Sequence, residues 1–438
     1  MELLIYTLTQ VSYAIVEPSY AFVLIMMGIV FYIKNKKTAT LEKLIMGENS
    51  TSPFELTISQ IVMGIFGGVL ASMIFTYLGV VFHVNSNIYI VFMISILLMF
   101  FNPRFLCLSY SGAVLGVTSI LLNIASKFLN NPSLNLLKVD ITSLLLLIGV
   151  MHVVEGILVI LDGKRGAIPV FGGRDRKIVG GFAFKRQWIL PVAILMMMEA
   201  TSGTFISGEA VATPQWWPIV NHGANKALFE TMIIGALPLF AGVGYSSVTF
   251  TKSKTAKTLF SGALIIGFGI FVSALSIFSN YGFVVQLLLL IITPLAHEAM
   301  IAFEKYTERN DEPMYSSNEE GIRILEVAPK SLASTMGLKS GDLILEINDN
   351  KITTDEMMFS FLETIPNYIW MKIKKANGEI REISHTKVSN EGRIGIVIVP
   401  RNIPSKSRIM KTEEGNFTDV LNKLRKKEQD DEDKENKE

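Results

Sequence analysis

Residues 321–348 read Gly-Ile-Arg-Ile-Leu-Glu-Val-Ala-Pro-Lys-Ser-Leu-Ala-Ser-Thr-Met-Gly-Leu-Lys-Ser-Gly-Asp-Leu-Ile-Leu-Glu-Ile-Asn. Gly321–Val327 alternates apolar and polar side chains, as a half-buried strand does. Ser331 is a natural N-cap for a short helix, and Gly337 suits the left-handed residue that ends one. A turn at Gly341-Asp342 leads into a buried strand ending near Asn348. Beyond it, Thr354 or Asp355 can cap a second helix through Glu363, with Met358, Phe361 and Leu362 on one apolar side. Tyr368–Lys374 and Glu379–Ser384 flank Asn377-Gly378, a pair suited to a type I′ hairpin turn. Ile394–Val399 closes the set. The pattern predicts a small α+β domain over residues 318–402.

The chain upstream is of another kind. Half of the 438 residues are hydrophobic and 18% are charged, against roughly 25% charged in a soluble globular chain. Residues 1–303 hold 18 Lys+Arg and 13 Asp+Glu, whereas residues 304–438 hold 22 and 26. That division excludes a single soluble enzyme and predicts a membrane-embedded part followed by a soluble one. Cys107 is the one cysteine, which excludes a disulfide scaffold. A net charge of +1 gives no support for nucleic-acid binding.

A helix crossing the bilayer core needs about 20 mostly apolar residues. Nine stretches approach that length: 11–33, 58–82, 88–101, 107–126, 142–161, 188–207, 230–250, 258–278 and 283–303. The prediction is an α-helical polytopic domain of about nine transmembrane helices over residues 1–303. With the N-terminus outside, 15 basic residues fall in inside loops, seven of them at 162–187, and three in outside loops. Basic residues gather on the cytoplasmic side, so the C-terminal domain is expected in the cytoplasm. The apolar run after Gln10 lacks a preceding Lys or Arg and reads as a retained anchor rather than a signal peptide. Trp188, Trp216 and Trp217 are expected at the headgroups. Gly64, Gly68 and Ser72, and Gly112 with Gly116, recur at a four-residue spacing that permits close helix packing. The pairs Gly172-Gly173 and Gly180-Gly181 read as turns.

Residues 304–317 read as a linker. Residues 403–438 are dense in charge and read as a disordered tail, with a short helix conceivable over 418–427.

Ionisable groups at membrane depth are functional candidates: Glu17, His152, Glu155, Glu199, His297 and Glu298. His152 and Glu155 share a helix face, compatible with a metal ligand pair, a proton relay or simple mutual pairing. An intramembrane zinc protease would carry H-E-x-x-H, but His297-Glu298-Ala299-Met300-Ile301 has no second ligand at Ile301. No catalytic arrangement, cofactor motif or metal motif emerges, so no enzyme activity, cofactor or metal is expected.

The string from Val327 to Asn348 closely resembles the PDZ domains of bacteria, which bind an extended peptide as an added strand between a sheet edge and a helix. The resemblance implies a groove formed by Gly321, Ile322, Arg323 and Ile324 on the edge, facing Met358 and Leu362. Asn350 stands where many such domains have Gly. Glu319 and Glu320, just before the groove, would disfavour a ligand's terminal carboxylate. The full layout is similar to the MinJ family of Firmicutes, as are Asp162-Gly163-Lys164-Arg165, Gly180-Gly181-Phe182 and Trp188 with Pro191. This resemblance implies a plasma-membrane scaffold in cell division, enriched at septum and poles, bridging DivIVA to MinD and so restricting FtsZ assembly. Alternatives are a membrane transporter with a regulatory PDZ domain and a degenerate relative of intramembrane metalloproteases.

Overall fold

The computed structural model describes residues 2–46, 51–83, 86–101, 105, 107–131, 133, 137–174, 177–199, 217–220, 232–352, 354–363, 366–386 and 394–401. The tail 403–438, with its conceivable helix 418–427, and Trp216 lie outside them.

Among the described residues, six helical stretches are long and apolar enough to cross a membrane. They are α2 (Pro18–Met46), α3 (Pro53–Leu78), α5 (Leu108–Phe128), α6 (Ile141–Asp162), α7 (Lys254–Leu275, prolonged by a 3-10 turn to Tyr281) and α8 (Phe283–Asn310). Two shorter helices, α1 (Glu2–Val16) and α4 (Ile90–Phe101), accompany them. Local chemistry sets several starts. Ser52, Asp140 and Ser253 each accept an amide of the first turn of α3, α6 and α7, relieving N–H groups that no helical carbonyl can reach.

Two of the nine expected helical spans are strands. β3 (Lys177–Glu199) and β4 (Met232–Thr249) form a long antiparallel pair, in register from Phe182 opposite Thr249 to Glu199 opposite Met232. Hydropathy cannot separate the two forms, because a tilted strand spans with about 9–11 residues. Composition can: Pro191 and Pro238 oppose a helix interior, and Gly235, Gly242, Gly244, Ser246, Ser247 and Thr249 make β4 a poor helix.

A strand in an apolar medium must satisfy both of its edges, and β3 does so piecewise. β4 pairs along one edge. On the other, β2 (Ile168–Arg174) covers residues 177–183 and β1 (Val81–His83) pairs in parallel with 195–197. Helix α3 serves the interval between: Gln60 Nε2 donates to the Gln187 carbonyl (2.8 Å), and Ser72 Oγ accepts from the Ala193 amide (2.9 Å). Gly64 and Gly68 sit between those contacts. A Cβ at either would lie 2.1–2.2 Å from the carbonyl oxygen of Ile189 or Pro191, so the small-residue stripe packs on a strand rather than on another helix. The glycine pairs 172–173 and 180–181, expected as turns, lie within β2 and β3, opposite one another's strand.

Helix–helix contact is closest between α6 and α7, where a Cβ on Gly149 would meet the Gly269 carbonyl at 2.6 Å and one on Gly156 the Gly262 carbonyl, also at 2.6 Å. At the end of α6 the buried Asp162 carboxylate gathers Arg186 (2.6 Å), Trp188 Nε1 (2.8 Å) and Ser59 (2.6 Å). Trp188 is therefore buried in this knot. Trp217 is also buried and donates to the Thr76 carbonyl. Both rings are thus enclosed by protein rather than presented on its surface.

The C-terminal unit is α+β: β5 (Ile322–Val327), α9 (Leu332–Thr335), β6 (Leu343–Ile347), β7 (Asn350–Lys351), α10 (Asp355–Glu363), β8 (Tyr368–Lys374), β9 (Ile380–Thr386) and β10 (Ile396–Val399). Its sheet runs β10-β5-β6-β8-β9, with β7 on β6. Ser331 caps α9, Gly337 is left-handed (φ 78°), and Thr354 Oγ1 accepts the Met357 amide at the start of α10, as expected. The turn after β8 differs from type I′. Gly378 N–H donates to the Lys375 carbonyl, and Gly378 is the left-handed residue, which is a type I turn followed by a positive-φ glycine. In the turn before Asn350, which stands where many PDZ domains have Gly, the positive φ values fall on Asn348 and Asp349.

The expected linker 304–317 is largely structured. Helix α8 continues to Asn310, Met314 N–H donates to the Phe250 carbonyl, and Gly180 N–H donates to the Tyr315 carbonyl. Tyr315 is buried edge-on against Phe182, Leu325 and Val399 close on Gly180, and Lys254 pairs with Glu326. The C-terminal unit is thus docked on the base of the β2–β3 hairpin.

Candidate functional site

The groove residues expected at 321–324 do not form an edge. β5 is flanked by β6, through Ile322 opposite Ile344 and Arg323 opposite Leu343, and by β10, through residues 323–327. A Cβ on Gly321 would meet the Ile344 carbonyl at 2.2 Å, so its smallness serves sheet packing. Arg323 is tied down, donating its guanidinium to the Gly341 carbonyl at 2.9 Å. Burial lowers its pKa, against the opposing pull of Asp342 and Glu320. Glu320 pairs with Lys374 of β8 (3.0 Å). The miss has a physical cause: strand identity is local, whereas edge position depends on where the last strand of the chain inserts.

The terminal strand on that side is β10, and among the described residues it pairs only with β5. Its end lies beside α10, where the Arg401 amide donates to Asp355 Oδ2 (2.9 Å). Met358 is fully buried in the core that Ile398 shares, while Phe359, Phe361 and Leu362 are partly exposed around it. The apolar helix face expected at Met358 and Leu362 is therefore present, packed on the core that Ile322, Ile324 and Ile398 share.

A second constellation lies in the membrane part. Cys107 caps α5, His152 is at the middle of α6, and His297 is near the middle of α8. Cys107 Sγ is 3.0 Å from His152 Nε2 and 3.5 Å from His297 Nε2. His152 Nδ1 lies 2.7 Å from the Ile148 carbonyl, and His297 Nδ1 lies 3.2 Å from Tyr110 Oη, whose hydroxyl donates to Glu298. Phe268 packs edge-on against both imidazoles. His152 and His297 are 2% and 8% exposed. The sequence singled out both histidines but not their union, because Cys107 is 45 and 190 residues away from them.

Of the other intramembrane candidates, Glu155 neighbours His152 and Glu17 lies elsewhere. Glu17 accepts the amides of Ser19 and Tyr20 at the start of α2. Glu155 faces the Gly244 backbone, and the side chain of Glu199 lies outside the described residues. Sequence reasoning missed Lys257, 1% exposed between Glu304 (3.0 Å) and Glu308 (3.7 Å). Glu304 and Glu308 lie four residues apart on α8, but Lys257 is 47 and 51 residues upstream of them, so their meeting was invisible along the chain.

No family model matches the chain. A probable cell division topological determinant MinJ of Lacticaseibacillus paracasei is 27% identical over 63 residues, 14% of this chain and 17% of that protein. The cell division topological determinant MinJ of Bacillus subtilis (strain 168) is 22% identical over 265 residues, 58% of this chain and 60% of that protein. The chain thus matches less than two thirds of the length of either relative, and its similarity is a distant one to MinJ-type cell division determinants.

Proposed function

We propose that the chain is a membrane-resident, non-enzymatic scaffold in the spatial control of cell division, which recruits partners through its C-terminal unit. The observation that carries this reading is the outer edge of β10 beside α10, since an extended peptide can join such an edge by main-chain hydrogen bonds. Leu362 and Phe359 on α10 then supply apolar contacts for the ligand's side chains. The end of α2 approaches β10, so a bound peptide would lie close to the membrane surface. The PDZ-type reading of residues 318–402 and the distant MinJ relatives support the same role. Partners of the DivIVA and MinD kind are the ones this reading favours.

The same reading gives a topology. Helices α1 and α2 together, α3, α6, α7 and α8 make five crossings, whereas α4–α5 and β3–β4 each turn back. Lys34 bonds to Gln187 and Lys164 to Thr255, which gathers the basic loops at one end, the cytoplasmic one by the positive-inside rule. The odd count puts the C-terminal unit there too.

The test is imaging of the fluorescently tagged full chain in dividing cells, beside Leu362→Glu. The native chain should concentrate at septa and the variant should spread evenly over the membrane at equal abundance. Equal distribution of the two would count against the groove, and even spreading of the native chain against the division role.

A further inference from the structure

We propose that Cys107, His152 and His297 bind a thiophilic transition-metal ion, zinc(II) foremost, between α5, α6 and α8. The three ligand atoms lie within 4.8 Å of one another. Their protonation follows from their neighbours. The Ile148 carbonyl only accepts, so His152 donates from Nδ1 and keeps a lone pair on Nε2. The Tyr110 hydroxyl proton is committed to the Glu298 carboxylate, so His297 donates from Nδ1 to Tyr110 and its Nε2 is likewise a lone pair.

Two imidazole acceptors therefore converge on one thiol, which holds a single proton. A metal ion replacing that proton satisfies all three donors at once, with the thiolate as the anionic ligand. The outer contacts also fit: a metal-bound His typically donates its other N–H to a carbonyl or hydroxyl, which fixes the ring.

The distances agree with this use. Zn–N near 2.05 Å and Zn–S near 2.3 Å place tetrahedral N and S ligands about 3.6 Å apart. His297 stands at 3.5 Å from the sulfur and His152 at 3.0 Å, so His152 would yield about half an ångström. The ligand missing at Ile301 along the helix is thus supplied across space by His152 and Cys107. Bound metal would pin the start of α5 between two helices.

The experiment uses the full chain purified in detergent without chelator. Metal analysis after zinc loading should find about one zinc per chain. Cobalt substitution should give a thiolate-to-metal charge-transfer band with tetrahedral ligand-field bands. Cys107→Ser should abolish the charge-transfer band, and His152→Gln and His297→Gln should each cut zinc occupancy at least about tenfold, while His83→Gln leaves it unchanged. Native chain that takes up neither metal overturns the proposal, as does a charge-transfer band that survives Cys107→Ser. Should the variants fail to fold, the native cobalt spectrum decides: no charge-transfer band, no site.

Discussion

The hydroxyl of Ser72 on α3 accepts the backbone N–H of Ala193 on β3 at 2.9 Å, both residues being fully buried. This bond, with its partner from Gln60 to Gln187, gives the edge of β3 that lies on a transmembrane helix two side-chain partners in place of a neighbouring strand. Ser72→Val removes the acceptor and leaves a buried amide unpaired, at a cost of about 1–3 kcal/mol. Hydrogen exchange in detergent should show faster exchange at Ala193, with the outer turns of α2 unaffected. Unchanged protection there would show that the amide has another acceptor.

Asp162 holds Arg186, which is 2% exposed, together with Trp188 and Ser59. Removing one partner of a buried pair leaves an uncompensated charge, typically about 3–5 kcal/mol. Asp162→Ala should thus lower the thermal midpoint in detergent far more than Arg165→Ala. Arg165 reaches the same carboxylate at 3.4 Å from a half-exposed position, where an ion pair contributes about 1 kcal/mol or less.

Gly149 and Gly269 let the backbones of α6 and α7 touch, with no room for a Cβ on either. Gly269→Leu should force the helices apart, at or beyond the usual overpacking cost of about 1–3 kcal/mol. A fluorescence thermal scan beside Gly267→Leu checks this, because no atom lies within 4 Å of a Cβ at Gly267, and that change should be nearly neutral.

What the sequence made legible was local. Ser331, Gly337 and Thr354 mark helix ends through bonds to residues three or four away, and each stands as expected. The β8–β9 pairing was equally readable, because its two strands are joined by a short turn. Apolar length, by contrast, is common to a spanning helix and a long strand, so 188–207 and 230–250 read as helices although Pro191 and Pro238 argued otherwise. The charge on Arg186 counted as a loop cation until Asp162, 24 residues away, buried it. The edge position of β10 and the meeting of Cys107 with two histidines are properties of tertiary assembly, which no spacing along the chain records.

Tyr315 joins the two halves by packing on Phe182. Burial raises its pKa above the ordinary phenol value of about 10. The folded chain therefore keeps the proton that the unfolded chain gives up above that value. Docking stability should be flat below pH 10, fall as pH rises from about 10 towards the raised folded value, and level off beyond it. Protease sensitivity of residues 311–320 across that range reads the effect, and Tyr315→Phe should abolish the tyrosine's share of the slope. A slope unchanged in Tyr315→Phe would assign the alkaline loss to another group.

Affinity purification of the tagged full chain from dividing cells, beside Leu362→Glu inserted in the membrane at equal level, tests the scaffold role most directly. The native chain should recover cell-division proteins, and the variant should lose them. Recovery of the same division proteins by both chains, or of none by the native chain, would contradict it.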